Sequence, residues 1–230
     1  MLALLDADIF SYRCAASAEN DSAEVAIWRF RDSVEMCLAA VGATEYQMWF
    51  SDKSENNYRY LLYPEYKANR TQPPPKYLPD VREYAFNEWM GMIAFKQEAD
   101  DALGIEQCRD PNRDTIICSI DKDLLQIPGK HFNFVKNEYQ EVTLLEGTKH
   151  FYKQTLIGDR ADNIFGVKGI GPVKASGYID CLSSDLDMWN RCVELYCGEA
   201  DRLLMNAKVL YIRKLENEDW SPPRDAEIQD

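Results

Sequence analysis

Four short apolar runs in this chain each lead into acidic residues, and that repetition constrains the fold more than any other feature. Leu2-Ala3-Leu4-Leu5 runs into Asp6-Ala7-Asp8, Tyr46 to Phe50 into Ser51-Asp52, Met92 to Lys96 into Glu98-Ala99-Asp100-Asp101, and Ile116 to Ile120 into Asp121-Lys122-Asp123. Short unbroken apolar runs read as strands buried on both faces, which belong to parallel sheets covered by helices. Helix signals lie between them. Asp21 with Glu24 forms a capping-box pattern, and Ile27, Phe30, Val34, Leu38 and Val41 then recur at helical spacing until Gly42. Asp80 with Glu83 marks another helix start, and the chain after Glu146 reads as mainly helical. The alternation implies an α/β fold with a mostly parallel central sheet flanked by helices. Ligands of such sheets bind outside the carboxyl ends of the strands, so the four acidic groups converge at one edge.

Convergence has an electrostatic consequence. Two carboxylates about 4 Å apart repel by roughly 4 kcal/mol at an effective dielectric near 20, so cations must neutralise such a cluster. Mg²⁺ or Mn²⁺ suits an all-oxygen donor set. Taken singly, a D-x-D pair is more often a helix cap or a solvated turn. Recurrence after several strands is what caps alone do not require. Histidine and cysteine offer no competing chemistry. His131 and His150 have no second candidate ligand nearby and read as surface or loop residues, and the seven cysteines show no C-x-x-C pairing. That cysteine usage fits a reducing cytoplasm, and no stretch is apolar for long enough to span a bilayer.

Two further segments carry charge or glycine in informative patterns. Tyr66-Lys67-Ala68-Asn69-Arg70 sets two cations three residues apart, either a phosphate clamp or a solvated basic turn. Thr71-Gln72-Pro73-Pro74-Pro75 then breaks regular structure, and residues from about Pro64 to Pro79 are expected to project as a loop or arch. In Gly166-Val167-Lys168-Gly169-Ile170-Gly171-Pro172-Val173-Lys174-Ala175 the glycines let a backbone turn lie against a phosphate, and the helix that Pro172 opens offers free N–H groups. Lys168 and Lys174 add charge, making this a helix-hairpin-helix pattern. From Lys214 onward the chain is polar and acidic and is interrupted by Pro222-Pro223, so poor order is expected there.

In chain order, L-L-D-A-D, S-D-K, Y-K-A-N-R, E-A-D-D, D-K-D-L-L-Q and G-D-R-A-D-N followed by G-V-K-G-I-G-P-V-K-A resemble the flap endonuclease and 5′-3′ exonuclease family. That family includes the N-terminal nuclease of bacterial DNA polymerase I and stand-alone bacteriophage 5′ nucleases. The resemblance runs from about Leu2 to Ala175, and a chain this short without a polymerase region is most like a stand-alone phage enzyme. It implies a PIN-like core over 1–157 with a helical arch over about 64–97. A helix-three-turn-helix region over 158–213, with K⁺ as its ion, and an acidic tail over 214–230 would follow.

By motif position, the resemblance implies Asp6, Asp52, Glu98, Asp100, Asp121, Asp123 and Asp162 as ligands of two Mg²⁺ or Mn²⁺ ions, with Asp101 and Asp159 as accessory carboxylates. Asp8 has no consistent counterpart. Lys67 and Arg70 fall where the family contacts the scissile phosphate, and Asp100 is central enough to bridge the metals. Tyr12 and Arg13 occupy positions that stack on the terminal base and hold phosphate, although Tyr12 reads equally well as a core aromatic. Gly166, Lys168, Gly169, Gly171 and Lys174 would grip the duplex.

The implied activity is metal-dependent hydrolysis of DNA with a 5′ end, flap or gap, by a monomer in the cytoplasm, the host's if the chain is phage-encoded. Two other readings stand beside it: a nuclease removing RNA from RNA–DNA hybrids, and an inactive duplex-binding member. The net charge of −13 opposes a nucleic-acid partner at first sight. Most of that excess resides in the ten acidic residues just named, where bound metal would neutralise it.

Overall fold

A computed structural model describes residues 1–223. Its centre is a six-stranded sheet in the order β3-β2-β1-β4-β5-β6. The strands are β1 (Leu2–Asp6), β2 (Glu45–Ser51), β3 (Met92–Ala94), β4 (Thr115–Cys118), β5 (Gly129–Asn133) and β6 (Glu138–Val142). All pair in parallel except β6, which returns from β5 as an antiparallel edge. The chain leaves β1 for β2 on one side and comes back to β4 on the other. That makes the β1–β4 boundary a switch point, where the two directions of winding open a crevice at the carboxyl ends.

Alternation along β1 divides the core. Ala3 and Leu5 point toward α1 (Ala7–Ser17), α2 (Ala23–Val41) and, beyond the short α3 (Tyr58–Leu62), α4 (Leu78–Glu88), meeting Phe10, Phe30, Val34, Val81 and Ala85. Leu2 and Leu4 point the other way, toward Leu103 of α5 (Ala99–Arg109) and toward Leu124, Ile127 and Ile212. Each large aliphatic side chain buried in this way contributes about 1.5–3 kcal/mol. A second apolar core joins α6 (Leu144–Ile157), α7 (Pro172–Ile179), α8 (Asp185–Tyr196) and α9 (Ala200–Leu210) through Phe151, Tyr152, Leu156, Ile179, Met188 and Leu203. Between the two cores lies a small antiparallel ribbon, β7 (Gly158–Asp159) with β8 (Ile164–Phe165). No helix among the described residues is long and apolar enough to cross a membrane.

Several expectations need correction. Ser22 caps α2, its hydroxyl accepting the Val25 N–H, so the helix start lies one residue beyond the Asp21 reading. α4 does not stand free as an arch. Val81 and Ala85 are wholly buried against α1 and α2, and the turns and proline stretch from Tyr63 to Tyr77 run outside regular structure. His131 is a buried residue of β5 whose Nε2 bonds the Ile127 carbonyl at 2.8 Å, and His150 lies within α6. Burial, helped by Lys153, pushes the His150 imidazole down to about 4. The stretch 214–223 is anchored through Glu218 and Trp220, although much of it is exposed. Trp220 sits against Phe151, Trp189 and Tyr211, and Glu218 accepts the backbone N–H groups of Lys214 and Leu215. The rest of the expected tail, 224–230, lies outside the described residues.

Candidate active site

The acidic residues that follow β1, β2, β3 and β4 gather at the carboxyl edge, as parallel topology requires. Two adjoining cavities of about 300 and 310 Å³ open there. Lys67, Arg70, Glu98, Asp100 and Asp121 line both. Asp6, Asp8 and Asp52 add to one cavity, and Asp123, Asp159 and Asp162 to the other.

Each carboxylate has a distinct surrounding. Asp6 ends β1 and caps α1, accepting the Ile9 N–H and the Ser119 hydroxyl, the latter at 2.6 Å. Burial, with Asp8 and Asp121 nearby, pushes its carboxyl up to about 7. Asp100, in the first turn of α5, accepts no hydrogen bond from any described residue, and burial together with Asp121 and Asp6 holds it well above the usual carboxylate range. Asp123 rises to about 7 through burial, Asp121 and Asp159, and Asp159 rises through burial and Asp162. These groups disfavour one another's charge, which is the mark of a site that wants cations.

Cations of the chain itself partly answer that demand. Lys67, held at φ 57°, lies between Glu98 and Asp162, and the Arg70 guanidinium pairs with Asp162. The Tyr66 hydroxyl is 3.0 Å from both Glu98 and Asp162. Burial would raise the Glu98 carboxyl, but Lys67 and Arg59 outweigh it and hold the group below its ordinary value. Asp52 is likewise lowered, because the Lys96 and Lys53 N–H groups bond its two oxygens at 2.8 and 2.7 Å. Among the described residues no three acidic side chains converge closely enough to hold one ion as they stand.

Two members of the acidic set have other work. Asp101 is 0% exposed and receives the Arg59 guanidinium on both oxygens, besides the backbone N–H groups of Glu98 and Arg213. Those donors occupy its lone pairs, so the accessory-ligand expectation for Asp101 is corrected to a buried brace. Asp8 pairs with Arg82 of α4 at 2.6 Å and accepts the Ser51 N–H at 2.8 Å, fastening α4 to the ends of β1 and β2. Sequence reasoning missed Arg59, Tyr66, Arg82 and Ser119. Only Tyr66 stood inside a recognised motif; the others gave no local signal.

The glycine segment follows the β7–β8 ribbon directly, so Asp159, Asp162 and the hairpin share one stretch of chain. The hairpin turns between the end of α6 and the start of α7, with Val167 N–H bonding the Leu156 carbonyl at 2.8 Å. Gly166 is packed backbone against backbone, since a Cβ there would lie 2.3 Å from Ile157 and Leu156. Gly169 (φ 81°) and Gly171 have nothing within 4 Å of such a Cβ. Lys174 braces the Gly169 carbonyl at 2.9 Å, and Lys168 is exposed. Tyr12 and Arg13 lie exposed on α1, Tyr12 at 52%, which removes the core-aromatic alternative.

Comparison with known proteins follows the same outline. Residues 1–155 match the model of the 5′-3′ exonuclease N-terminal resolvase-like domain. DNA polymerase I of Caldicellulosiruptor bescii is 30% identical over 71% of the chain, which spans 22% of that protein. The 5′-3′ exonuclease of Bacillus subtilis is 28% identical over 64% of the chain and 64% of its own length. The chain thus spans less than two thirds of these relatives. Among solved structures, the bacteriophage T5 D15 protein co-crystallised with metal ions superposes with a TM-score of 0.70 at 16% identity, covering 91% of this chain and 88% of that one. The T5 5′-exonuclease with bound zinc gives 0.73 at 18% identity over 91% and 88% of the two chains. At those identities the structures establish a shared fold.

Proposed function

The chain belongs to the 5′-3′ exonuclease family, and from that premise we propose that it is a divalent-metal-dependent 5′ nuclease. It hydrolyses DNA phosphodiester bonds as a 5′-3′ exonuclease and structure-specific flap endonuclease. The observation that carries this reading is the gathering of Asp6, Asp52, Glu98, Asp100, Asp121, Asp123 and Asp162 in one acidic basin that Lys67 and Arg70 also line. The donor set fits Mg²⁺ or Mn²⁺: it is all oxygen, its charge is mutually disfavoured, and Asp100 has no donor of its own. Asp6, Asp52, Glu98, Asp100, Asp121, Asp123 and Asp162 would hold the ions, with Asp159 as an accessory carboxylate beside them. When bound, such ions generate a nucleophilic water and stabilise the attacking and leaving oxygens.

The chain's own residues supply the rest. Lys67 and Arg70 rest on Glu98 and Asp162. With those carboxylates engaged as ligands, both cations would be free to hold the oxygens of the scissile phosphate. Gly169 and Gly171 expose backbone at the N-terminus of α7, where a duplex phosphate can approach closely, with Lys168 and Lys174 beside it, and K⁺ bound at this turn would add positive charge. Tyr12 and Arg13 receive the terminal base and its phosphate. A T5 D15 flap endonuclease structure holds DNA together with metal ions, which supports this arrangement by analogy of fold. The proposed setting is the cytoplasm, with the protein acting as a monomer.

Backbone and shape contacts are common to DNA and to RNA–DNA hybrids, so the test includes both. Duplexes labelled at the 5′ or 3′ end, with blunt, recessed, gapped or flapped 5′ ends, are incubated with and without Mg²⁺. Metal-dependent release of 5′-phosphorylated mono- or short oligonucleotides from the 5′ end is expected. Metal-dependent binding without turnover would establish the inactive duplex-binding reading instead.

A further inference from the structure

Asp8 lines the acidic basin, yet each of its oxygens already has a donor. One accepts the Ser51 N–H at 2.8 Å and the other the Arg82 guanidinium at 2.6 Å. Its neighbours in the same cavity are Asp6, Asp52, Glu98, Asp100 and Asp121. Without those donors, a carboxylate in that company would be one more ligand for a cation. Arg82 is held firmly in place. Its guanidinium carbon lies 4.4 Å from the centre of the Phe50 ring, and Phe50 packs on Phe86 of α4 with ring centroids 4.7 Å apart. Val81 and Ala85 are wholly buried on the same helix, so α4 cannot carry Arg82 away without opening the core. Arg70 is placed differently: its side chain is 56% exposed against 31% for Arg82, and it stands on an irregular segment. Arg70 can therefore leave Asp162, whereas Arg82 stays with Asp8.

Ligand number separates hard cations. Ca²⁺ takes about 6–8 oxygens in adaptable geometry, whereas Mg²⁺ demands a near-octahedral set and keeps several waters. Withholding one carboxylate from a crowded basin therefore weakens Ca²⁺ binding more than Mg²⁺ binding. We propose that Arg82 determines cation specificity: by keeping Asp8 out of the ligand set, it biases the basin toward Mg²⁺ and against Ca²⁺. The inference rests on the proposed metal-dependent nuclease reading and adds to it a residue that touches neither the ion nor the substrate. Arg82 is a positioning residue that acts through Asp8.

Calorimetric titration of Mg²⁺ and of Ca²⁺ reads this without turnover, in wild type, Arg82→Leu, Arg82→Lys and the Arg82→Leu, Asp8→Asn double variant. Arg82→Leu should bind Ca²⁺ at least about tenfold more tightly, the direction in which added ligand charge moves such sites, with a smaller gain for Mg²⁺. Its Mg²⁺-supported cleavage of a flapped duplex should become sensitive to Ca²⁺ at concentrations that wild type tolerates. Arg82→Lys keeps the ion pair and should titrate like wild type. The double variant should lose the Ca²⁺ gain, because the freed carboxylate is gone. If circular dichroism shows Arg82→Leu unfolded, Arg82→Gln, which loses the charge and keeps a polar head, carries the same expectation. A loosened α4, or the mere loss of one positive charge, would move both ions alike. An equal shift for the two ions, a Ca²⁺ gain that persists in the double variant, or unchanged Ca²⁺ affinity in the folded single variant overturns the proposal and leaves the nuclease reading intact. Wild-type protein that binds neither ion and cleaves no duplex overturns both.

Discussion

The Arg59 guanidinium grips both oxygens of Asp101 beneath the acidic basin, where the two residues are 2% and 0% exposed. Arg59 also donates to the carbonyls of Val209 and Tyr211, each at 2.9 Å, so the pair ties the helical half of the molecule to the start of α5. Asp101→Ala would strand a buried cation, at a cost of about 3–5 kcal/mol. A urea melt of the metal-free protein should show that loss as a lower midpoint. Asp100, which has no donor of its own and is crowded by Asp121 and Asp6, should behave in the opposite way, since removing its repelling charge leaves the metal-free protein as stable as wild type or more so.

The raised carboxyls predict a pH dependence. Asp6 and Asp123 titrate at about 7 in the folded protein against an ordinary value of 3.8. Between those values the folded state binds more protons than the unfolded state, so these groups make stability fall as pH rises. The metal-free protein should therefore lose stability from about pH 4 to pH 7 as the crowded carboxylates outweigh the opposite contribution of His150, and Mg²⁺ added at pH 7 should recover it. Thermal melts across that range check the sign. A metal-free stability that climbs over the same interval would contradict the crowding of carboxylates.

Two glycines of one hairpin should respond differently to alanine. At Gly166 the added Cβ meets backbone at 2.3 Å, so Gly166→Ala should cost stability, about 1–3 kcal/mol as overpacking does. Gly171 has nothing within 4 Å, so Gly171→Ala should melt like wild type yet bind duplex DNA more weakly. Melting curves and fluorescence anisotropy separate the two effects. Unchanged DNA affinity in Gly171→Ala would remove the hairpin from the binding surface.

Lys67→Ala should lower kcat by at least about a hundredfold, the scale of losing one group that stabilises transition-state charge. Metal affinity should not weaken, because Lys67 occupies Glu98 when metal is absent. Mg²⁺ titration by calorimetry, set beside initial rates, reads both quantities. A large loss of metal affinity with kcat unchanged would make Lys67 a support for the ligands alone.

Much of this was legible in the sequence because parallel strands broadcast themselves as unbroken apolar runs, and topology then brings their carboxyl ends together. Leu2 to Asp6, Tyr46 to Asp52 and Ile116 to Asp121 needed no other information. The β5–β6 hairpin was missed because Lys130, Asn133, Glu138 and Glu141 give it no apolar run. α4 was misread as part of an arch, since packing of Val81 and Ala85 against α1 and α2 is a tertiary fact. Asp101 stands beside Asp100 in the same motif, yet one position along a helix turns a side chain by about 100°, taking it from the basin to Arg59. No local pattern reports a partner as distant in sequence as Arg59 or Arg82.

The central claim is that the carboxylates gathered at the sheet edge hold the metal that hydrolyses a 5′-terminal phosphodiester. Its most direct test is Mg²⁺-dependent cleavage of a 5′-flapped duplex by wild type and by the Asp121→Ala, Asp123→Ala double variant, with folding verified by circular dichroism. The account predicts cleavage by wild type and its loss by more than about a hundredfold in the variant, with duplex binding retained. Wild-type rates in the folded double variant would contradict it.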